Sequence, residues 1–471
     1  MGRMIFYSDP VWSHDDAAND RGSLQALSKR GAGVGPCQPA DWVSLDAVVS
    51  TSNDQIAIVP GYLQKEWASE GRRYFHYRTE GRILHFFSVL SARYEVLRDR
   101  WHGKVAFGRG GEERDSESSR LDQGTDQEVA LEIYYHPGHE YNLERMMQAM
   151  KDSLDYFTTN FSPYQHRQLR ILEFPRYAQF AQSFPNTVPY SESIGFIARV
   201  RDDDPNDVDF PYYVISHEVA HQWWAHQVIG GNVRGSTMLS ESFAQYSALM
   251  VMKRKFGAAQ MRRFLKYELD RYLLGRGTER KKELPLAHNE NQGYVHYSKG
   301  SLVMYALQDY LGEETVNRAL AEFIRSVGYQ DPPYTNSLEF LDHLRRVTPA
   351  ELQYLIEDLF ETITLYENRA KEVTYVAADD GGFDVEIVVA CRKLRAGELG
   401  EETEVPLNDL VDFGVLDAKG NVLVLEKHRV TTAESTFTLH VTEQPGSAGV
   451  DPLHKLIDRL PADNTRPAVR R

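Results

Sequence analysis

The chain has 471 residues, 42% of them hydrophobic and 26% charged, a balance that suits a folded protein. At this length about two to four domains are expected. Sixty-eight Asp plus Glu against 53 Lys plus Arg give a net charge of −15, which argues against nucleic acid as a main partner, because phosphate binding needs clustered positive charge. Two cysteines, Cys37 and Cys391, build neither a disulfide framework nor a cysteine metal site. The first residues turn polar before the apolar core of a signal peptide can form, and no run of ~18 apolar residues occurs. The expectation is a soluble chain, its compartment undecided.

Three zones follow one another. Up to residue 137 the chain carries short β-type runs such as DQIAIVPGYL, RYFHYRT and VALEIYYH, the mark of a β-rich domain. Within this zone, residues 103–128 are mostly Gly, Ser and charge and read as a solvated, mobile loop between strands. From 138 to 367 the periodicity is largely helical, beginning with NLERMMQAMKDSLDYFTTNF and ending with AELQYLIEDLFETITLYENRA. From 368 to 471 the period switches to two in FDVEIVVACRK, NVLVLEKHRV and STFTLHV, with a turn at Ala418-Lys419-Gly420, which reads as a small β-sandwich. The last segment, GVDPLHKLIDRLPADNTRPAVRR, reads as a polar tail laid over the surface.

The chemistry concentrates in His217-Glu218-Val219-Ala220-His221. Residues four apart share one helix face, so both imidazoles reach one metal ion. Glu218 lies about 100° round from His217, placed to take a proton from water without ligating. The flanking Val214, Ile215, Val219, Ala220 and Trp223 are apolar, and a buried helix does not carry two histidines and a glutamate without use for them. A catalytic zinc site takes three protein ligands and keeps a fourth position open. No Asp or Glu occurs from Gln222 to Ser240; then comes Glu241. A turn rich in glycine (Gly230, Gly231, Gly235) brings the next helix back, which makes Glu241 the expected third ligand. His226, five residues after His221, points about 140° away. The metzincin pattern fails, since Trp224 and Gln227 stand where it needs Gly and His.

HEVAHQWWAHQ followed by LSESFAQYSALM resembles the gluzincin peptidases of the M1 aminopeptidase family. The spacer between His221 and Glu241 is 19 residues here, one more than the family usually has, and the Gly-rich turn is the expected place for the extra residue. The resemblance implies a thermolysin-like, mainly helical catalytic domain, giving an α+β multidomain protein. It also implies one zinc ion per chain, held by His217, His221 and Glu241, with Glu218 as general base. Tyr297, before Lys299-Gly300, is implied to stabilise the oxyanion. The family's GxMEN strand corresponds to Pro189-Tyr190-Ser191-Glu192-Ser193, with Gly195 trailing. Of that motif Glu192 is kept, and it is implied to hold the substrate's α-amino group. More narrowly, the text is similar to peptidase-like domains fused to bacterial ABC-transporter permeases, which implies association with, or fusion to, a membrane transporter.

The resulting expectation is an aminopeptidase acting on peptides with a free N-terminus. Two alternatives stay open. One is a peptide-binding or regulatory module of a transport complex with little turnover, motivated by the altered GxMEN strand and the longer spacer. The other is an endopeptidase on the same scaffold, which would not need Glu192. Trp223 and Trp224 read as core residues supporting the metal helix.

Overall fold

The computed structural model describes residues 3–7, 42–105, 125–204 and 207–471. The centre of the expected loop at 103–128 lies outside these residues, while strands run into it from both sides, to Val105 and from Thr125. The chain divides into two compact units, one of residues 1–251 with 313–347 and one of residues 252–312 with 348–471.

The first unit begins with short strands: β1 (Arg3–Tyr7), β2 (Trp42–Val43), β3 (Asp46–Ser52), β4 (Ile56–Ile58), β5 (Tyr62–Ser69), β6 (Arg72–Arg78), β7 (Ile83–Leu84) and β8 (Phe87–Ala92). β6 pairs antiparallel with β3 and β5, and β8 with β1 and β4. Phe75 and Tyr77 of β6 bury against Ala57 and Val59, so one face of this sheet is apolar. A second sheet follows, in the order β12-β11-β10-β9, from β9 (Glu95–Val105), β10 (Thr125–Tyr135), β11 (Gln168–Phe174) and β12 (Thr187–Ser191). β9 is antiparallel to β10, whereas β10, β11 and β12 are parallel. β11 reads LRILEF and is buried from Leu169 onward, as expected of a parallel strand covered on both faces. Its Arg170, 2% exposed, is held by the Val59 carbonyl, Thr187 Oγ1 and Asn186 Oδ1.

Helices cover this sheet. Helix α1 (Leu143–Asn160) buries Met146, Met150, Leu154 and Phe157, a stripe at helical spacing, and packs on α2 (Phe210–Ala220). The first unit also holds α6 (Glu313–Val327) and α7 (Ser337–Val347), both amphipathic, and the boundary between units passes through α3 (Phe243–Phe256).

The second unit contains α4 (Met261–Thr278), α5 (Gly300–Leu311) and the C-terminal strands. β13 (Ile363–Ala377) and β14 (Phe383–Ala396) pair along their length, with β15 (Glu402–Val405) and β18 (Glu434–Val441) also on β14. A second sheet contains β16 (Asp409–Leu416), β17 (Val422–Val430), β19 (Ser447–Val450) and β20 (Thr465–Pro467), and β21 (Val469–Arg470) joins β13. The two sheets share one apolar core, with Val385, Ile387 and Val389 from one and Val411, Phe413 and Val415 from the other.

Three expectations change. The helix read over 350–370 breaks into short turns, and β13 starts at Ile363. Thr362, Ile363 and Thr364 are β-branched, which disfavours helix, and the pairing with β14 captures them. The metal helix, which the Gly-rich turn at Gly230, Gly231 and Gly235 is expected to follow, ends already at Ala220. After it, Trp223 packs on Phe157 and Tyr164 while Trp224 packs on Phe161 and Phe243, and Ala225 takes a φ of 150°. The C-terminal segment is no surface tail: Asp451 to Ile457 are all buried. Its Lys455 is neutralised by Asp309 at 2.7 Å and Asp412 at 2.6 Å. Among the described residues no helix is long and apolar enough to cross a membrane.

Candidate metal centre

Helix α2 starts at a well-made cap. The Asp209 carboxylate accepts from the Tyr212 N–H at 3.1 Å, Pro211 occupies the first turn, and Arg145 pairs with Asp209. From this start the helix presents Tyr213, His217 and His221 on one face, four residues apart. Glu241 arrives from a π-helical turn, Met238–Ser242, which leads into α3. A π-turn takes in one more residue than an α-turn. It therefore offers the 19-residue spacer a second place, beside the Gly-rich turn, for its extra residue.

These elements bring three donors together. His217 Nε2 and His221 Nε2 are 3.0 Å apart, and Glu241 Oε2 lies 3.4 Å from the first and 3.3 Å from the second. Tetrahedral ligands at about 2.0–2.2 Å from one ion stand roughly 3.3–3.5 Å from each other, so the spacing suits a shared metal. The far side of each ring is anchored. His217 Nδ1 lies 3.0 Å from Gln245 Oε1, which also accepts from the Tyr213 hydroxyl at 2.9 Å. His221 Nδ1 lies 3.0 Å from the Trp224 carbonyl. Since both acceptors are oxygens, each imidazole donates from Nδ1, and in the neutral form that binds a metal it turns Nε2 toward the other. Two facing lone pairs beside a carboxylate are favourable when a cation sits among them. The residues fit a divalent metal, and the two-nitrogen, one-oxygen set makes zinc the expected ion.

The field at the site favours positive charge. Burial opposes protonation of His221, but the Glu241 carboxylate outweighs it and lifts the imidazole to about 9. Burial likewise opposes ionisation of Glu241, yet the imidazoles of His221 and His217 hold it well below the usual carboxylate range. Glu218 goes the other way: burial raises its carboxyl, against the pull of the two imidazoles, and Glu241 adds to the rise. Its Oε2 is buried with no hydrogen-bond partner among the described residues. The Ser183 backbone N–H donates to the same carboxylate.

Glu192 follows the end of β12 and its backbone N–H donates to the Phe174 carbonyl at 2.9 Å. Its side chain, 15% exposed, lies 3.7 Å from Arg176 Nε and 4.0 Å from His139 Nδ1. Two residues earlier, the Tyr190 hydroxyl is shifted well up by burial first and by the charge of Glu218 second, so β12 runs beside α2. Gly195 is needed for close approach, because a Cβ there would stand 2.2 Å from Tyr190 Cε1. Asn142 Nδ2 clasps the same loop through the carbonyls of Gly195 and Ala198 at 2.7 and 2.8 Å. Tyr297 lies in the second unit, within a π-turn (Tyr294–Lys299), its ring 4.5 Å from that of His296.

His226 stands outside the cluster, with Nε2 at 3.1 Å from the Ser183 carbonyl, and burial holds it down to about 4. Trp223 and Trp224 are fully buried, their indole N–H groups donating to the Ser162 carbonyl and Ser247 Oγ. Sequence reasoning missed Gln245, Tyr213 and the Trp224 carbonyl as partners of the imidazoles. The signal for two of them was there: Gln245 is four residues after Glu241, and Tyr213 four before His217.

Part of the chain is similar to known peptidases. Residues 141–360 match the peptidase family M1 domain. The stretch contains His217, Glu218, His221, Glu241, Glu192 and Tyr297. Endoplasmic reticulum aminopeptidase 2 of Homo sapiens is 23% identical over 210 residues, covering 43% of this chain and 22% of that protein. Probable aminopeptidase 1 of Sulfurisphaera tokodaii is 24% identical over 196 residues, covering 39% of this chain and 24% of that protein. The matches thus span less than a quarter of these relatives. The crystal structure of Legionella pneumophila aminopeptidase A in complex with aspartic acid covers 88% of this chain and 44% of that one, with a TM-score of 0.54 at 14% identity, a likeness of fold. The likeness is therefore to the M1 peptidase domain over residues 141–360 and to part of each of two aminopeptidases.

Proposed function

We propose that this chain is a zinc aminopeptidase that removes residues one at a time from peptides with a free N-terminus. The observation that carries the reading is the convergence of His217 Nε2, His221 Nε2 and Glu241 Oε2, within 3.4 Å of one another, with the buried Glu218 carboxyl beside them. In this reading His217, His221 and Glu241 hold one zinc ion. The metal supplies Lewis acidity, lowering the pKa of a water molecule and polarising the scissile carbonyl.

The protein's own residues do the rest. Glu218 takes the proton from the attacking water and returns it to the leaving amine nitrogen, and its raised pKa brings the two halves of that task closer in energy. Gln245 and the Trp224 carbonyl keep both imidazoles turned so that Nε2 faces the ion. Glu192 accepts charge-assisted hydrogen bonds from the substrate's α-ammonium group, which fixes where the chain is cut. Resemblance to the family assigns Tyr297 a hydrogen bond to the carbonyl oxygen as it gains negative charge. Similarity to transporter-fused peptidase-like domains extends the proposal to a chain that works beside, or joined to, a membrane transporter.

The test is hydrolysis of matched peptides with free and acetylated N-termini, with chelator and with zinc added back. Chelator-sensitive cleavage of the free peptides alone is the expected result. Cleavage of both makes the chain an endopeptidase and removes Glu192 from its role. Cleavage of neither, by folded and zinc-loaded protein, favours a peptide-binding module, the reading that the altered strand Pro189-Tyr190-Ser191-Glu192-Ser193 motivates.

A further inference from the structure

Three parallel strands, β10, β11 and β12, end side by side. In open sheets of this kind, ligands bind just outside the carboxyl ends of the strands. Here those ends carry His136, directly after β10, Glu173, next to last in β11, and Glu192, directly after β12. The turn Pro137-Gly138, with Gly138 at φ 93°, folds His139 back toward the same place.

Glu173 is 0% exposed. Its carboxylate accepts from the His136 backbone N–H at 2.5 Å and from His139 Nδ1, and His136 Nδ1 lies 3.2 Å from it. Among the described residues no lysine or arginine pairs with it. A buried carboxylate with no lysine or arginine beside it is costly, and its side-chain partners here are the two imidazoles. Glu192, 4.0 Å from His139 Nδ1, adds a second carboxylate to the same spot. The Arg176 guanidinium is 3.7 Å from Glu192 and 69% exposed. The cluster is therefore short of positive charge while offering two imidazole nitrogens and a carboxylate oxygen within 4.8 Å of one another. That is the donor set of a zinc-type ion.

We infer that His136, His139 and Glu173 form a second divalent-metal site, separate from the centre at His217, His221 and Glu241. Binding replaces the His139–Glu173 hydrogen bond by two metal bonds, and each histidine ligates through Nδ1 as the neutral tautomer with its proton on Nε2. The inference does not depend on the peptidase reading, since it rests on a different set of donors.

The experiment is metal counting on the full chain. Wild type, a His217→Ala/His221→Ala variant, and that variant with His139→Ala added are saturated with Zn²⁺, freed of excess by gel filtration and analysed by mass spectrometry of the metal. Circular dichroism checks the fold of each. The expected counts are two equivalents, one and none. The same samples with Co²⁺ should show a visible absorption band in the double variant that the His139 change abolishes. One equivalent in wild type that the double variant loses overturns the second site. So does a double variant that holds no metal, or a triple variant that still holds one. A double variant that keeps the full wild-type count instead contradicts the His217–His221–Glu241 centre, so the two readings fail separately.

Discussion

Gln245 makes the most pointed demand on this account, because it touches the metal only through His217. It is 7% exposed, and its Oε1 accepts from His217 Nδ1 at 3.0 Å and from the Tyr213 hydroxyl at 2.9 Å. In Gln245→Leu the one acceptor of both bonds disappears and an apolar side chain takes its place. His217 then loses the bond that fixes its tautomer and ring angle, and outer-shell changes of this type weaken metal binding by about 10–100-fold, or ~1.4–2.7 kcal/mol. The Tyr213 hydroxyl loses the same acceptor, which costs a further ~0.5–1.5 kcal/mol of stability. Zinc affinity, measured by competition with a chromophoric chelator on protein checked for folding, should fall within that range. Gln245→Glu, which keeps an acceptor oxygen, should recover most of it. A Gln245→Leu protein that binds zinc within about twofold of wild type would refute the claim that the second shell holds His217 in place.

Further expectations follow from the same structure. Glu192→Gln should raise KM for free peptides far more than it lowers kcat in steady-state assays, since it weakens a contact with the α-ammonium group that is made before and during reaction. Gly195→Ala places a Cβ 2.2 Å from Tyr190 Cε1, and the forced shift should cost ~1–3 kcal/mol in urea unfolding. The buried His454 is held down to about 4 by burial and then by the Arg262 and Lys266 charges. Its unfolded value is near 6.5, so the unfolded chain alone takes up a proton as pH falls below that value. The contribution to stability is complete above pH 6.5 and is lost as pH falls through the window down to about 4, to a total of about 3 kcal/mol. His454→Asn, which tolerates the φ of 58° at this position, should flatten the pH dependence of the urea midpoint across that window. An unchanged slope would show that His454 titrates normally.

What could be read in advance depended on distance along the chain. The spacing of His217 and His221 places them on one helix face, and the empty stretch from Gln222 to Ser240 leaves Glu241 as the next acid, so the triad was legible. Its supports were legible only in part: Gln245 and Tyr213 lie at helical spacing, but the Trp224 carbonyl is backbone and has no sequence signature. Segment 451–458 looked like surface because Asp451, Lys455 and Asp458 are charged. Lys455 is instead buried against Asp309 and Asp412, partners 146 and 43 residues away. The helix expected over 350–370 failed for a related reason, since β13 is held by β14, whose partner residues follow later in the chain. His136, His139 and Glu173 went unnoticed because parallel strands, 34 residues apart in sequence from His139 to Glu173, bring them together.

The central claim is that Glu218 does the proton transfer at a metal held by its neighbours, and Glu218→Gln tests it most directly. The substitution keeps the size of the side chain and leaves all three donors in place. Zinc content and peptide hydrolysis are measured on the same samples of wild type and variant. The account predicts the same zinc content and a rate lower by about 10²–10⁴-fold. A variant that keeps both its zinc and most of its activity would contradict it.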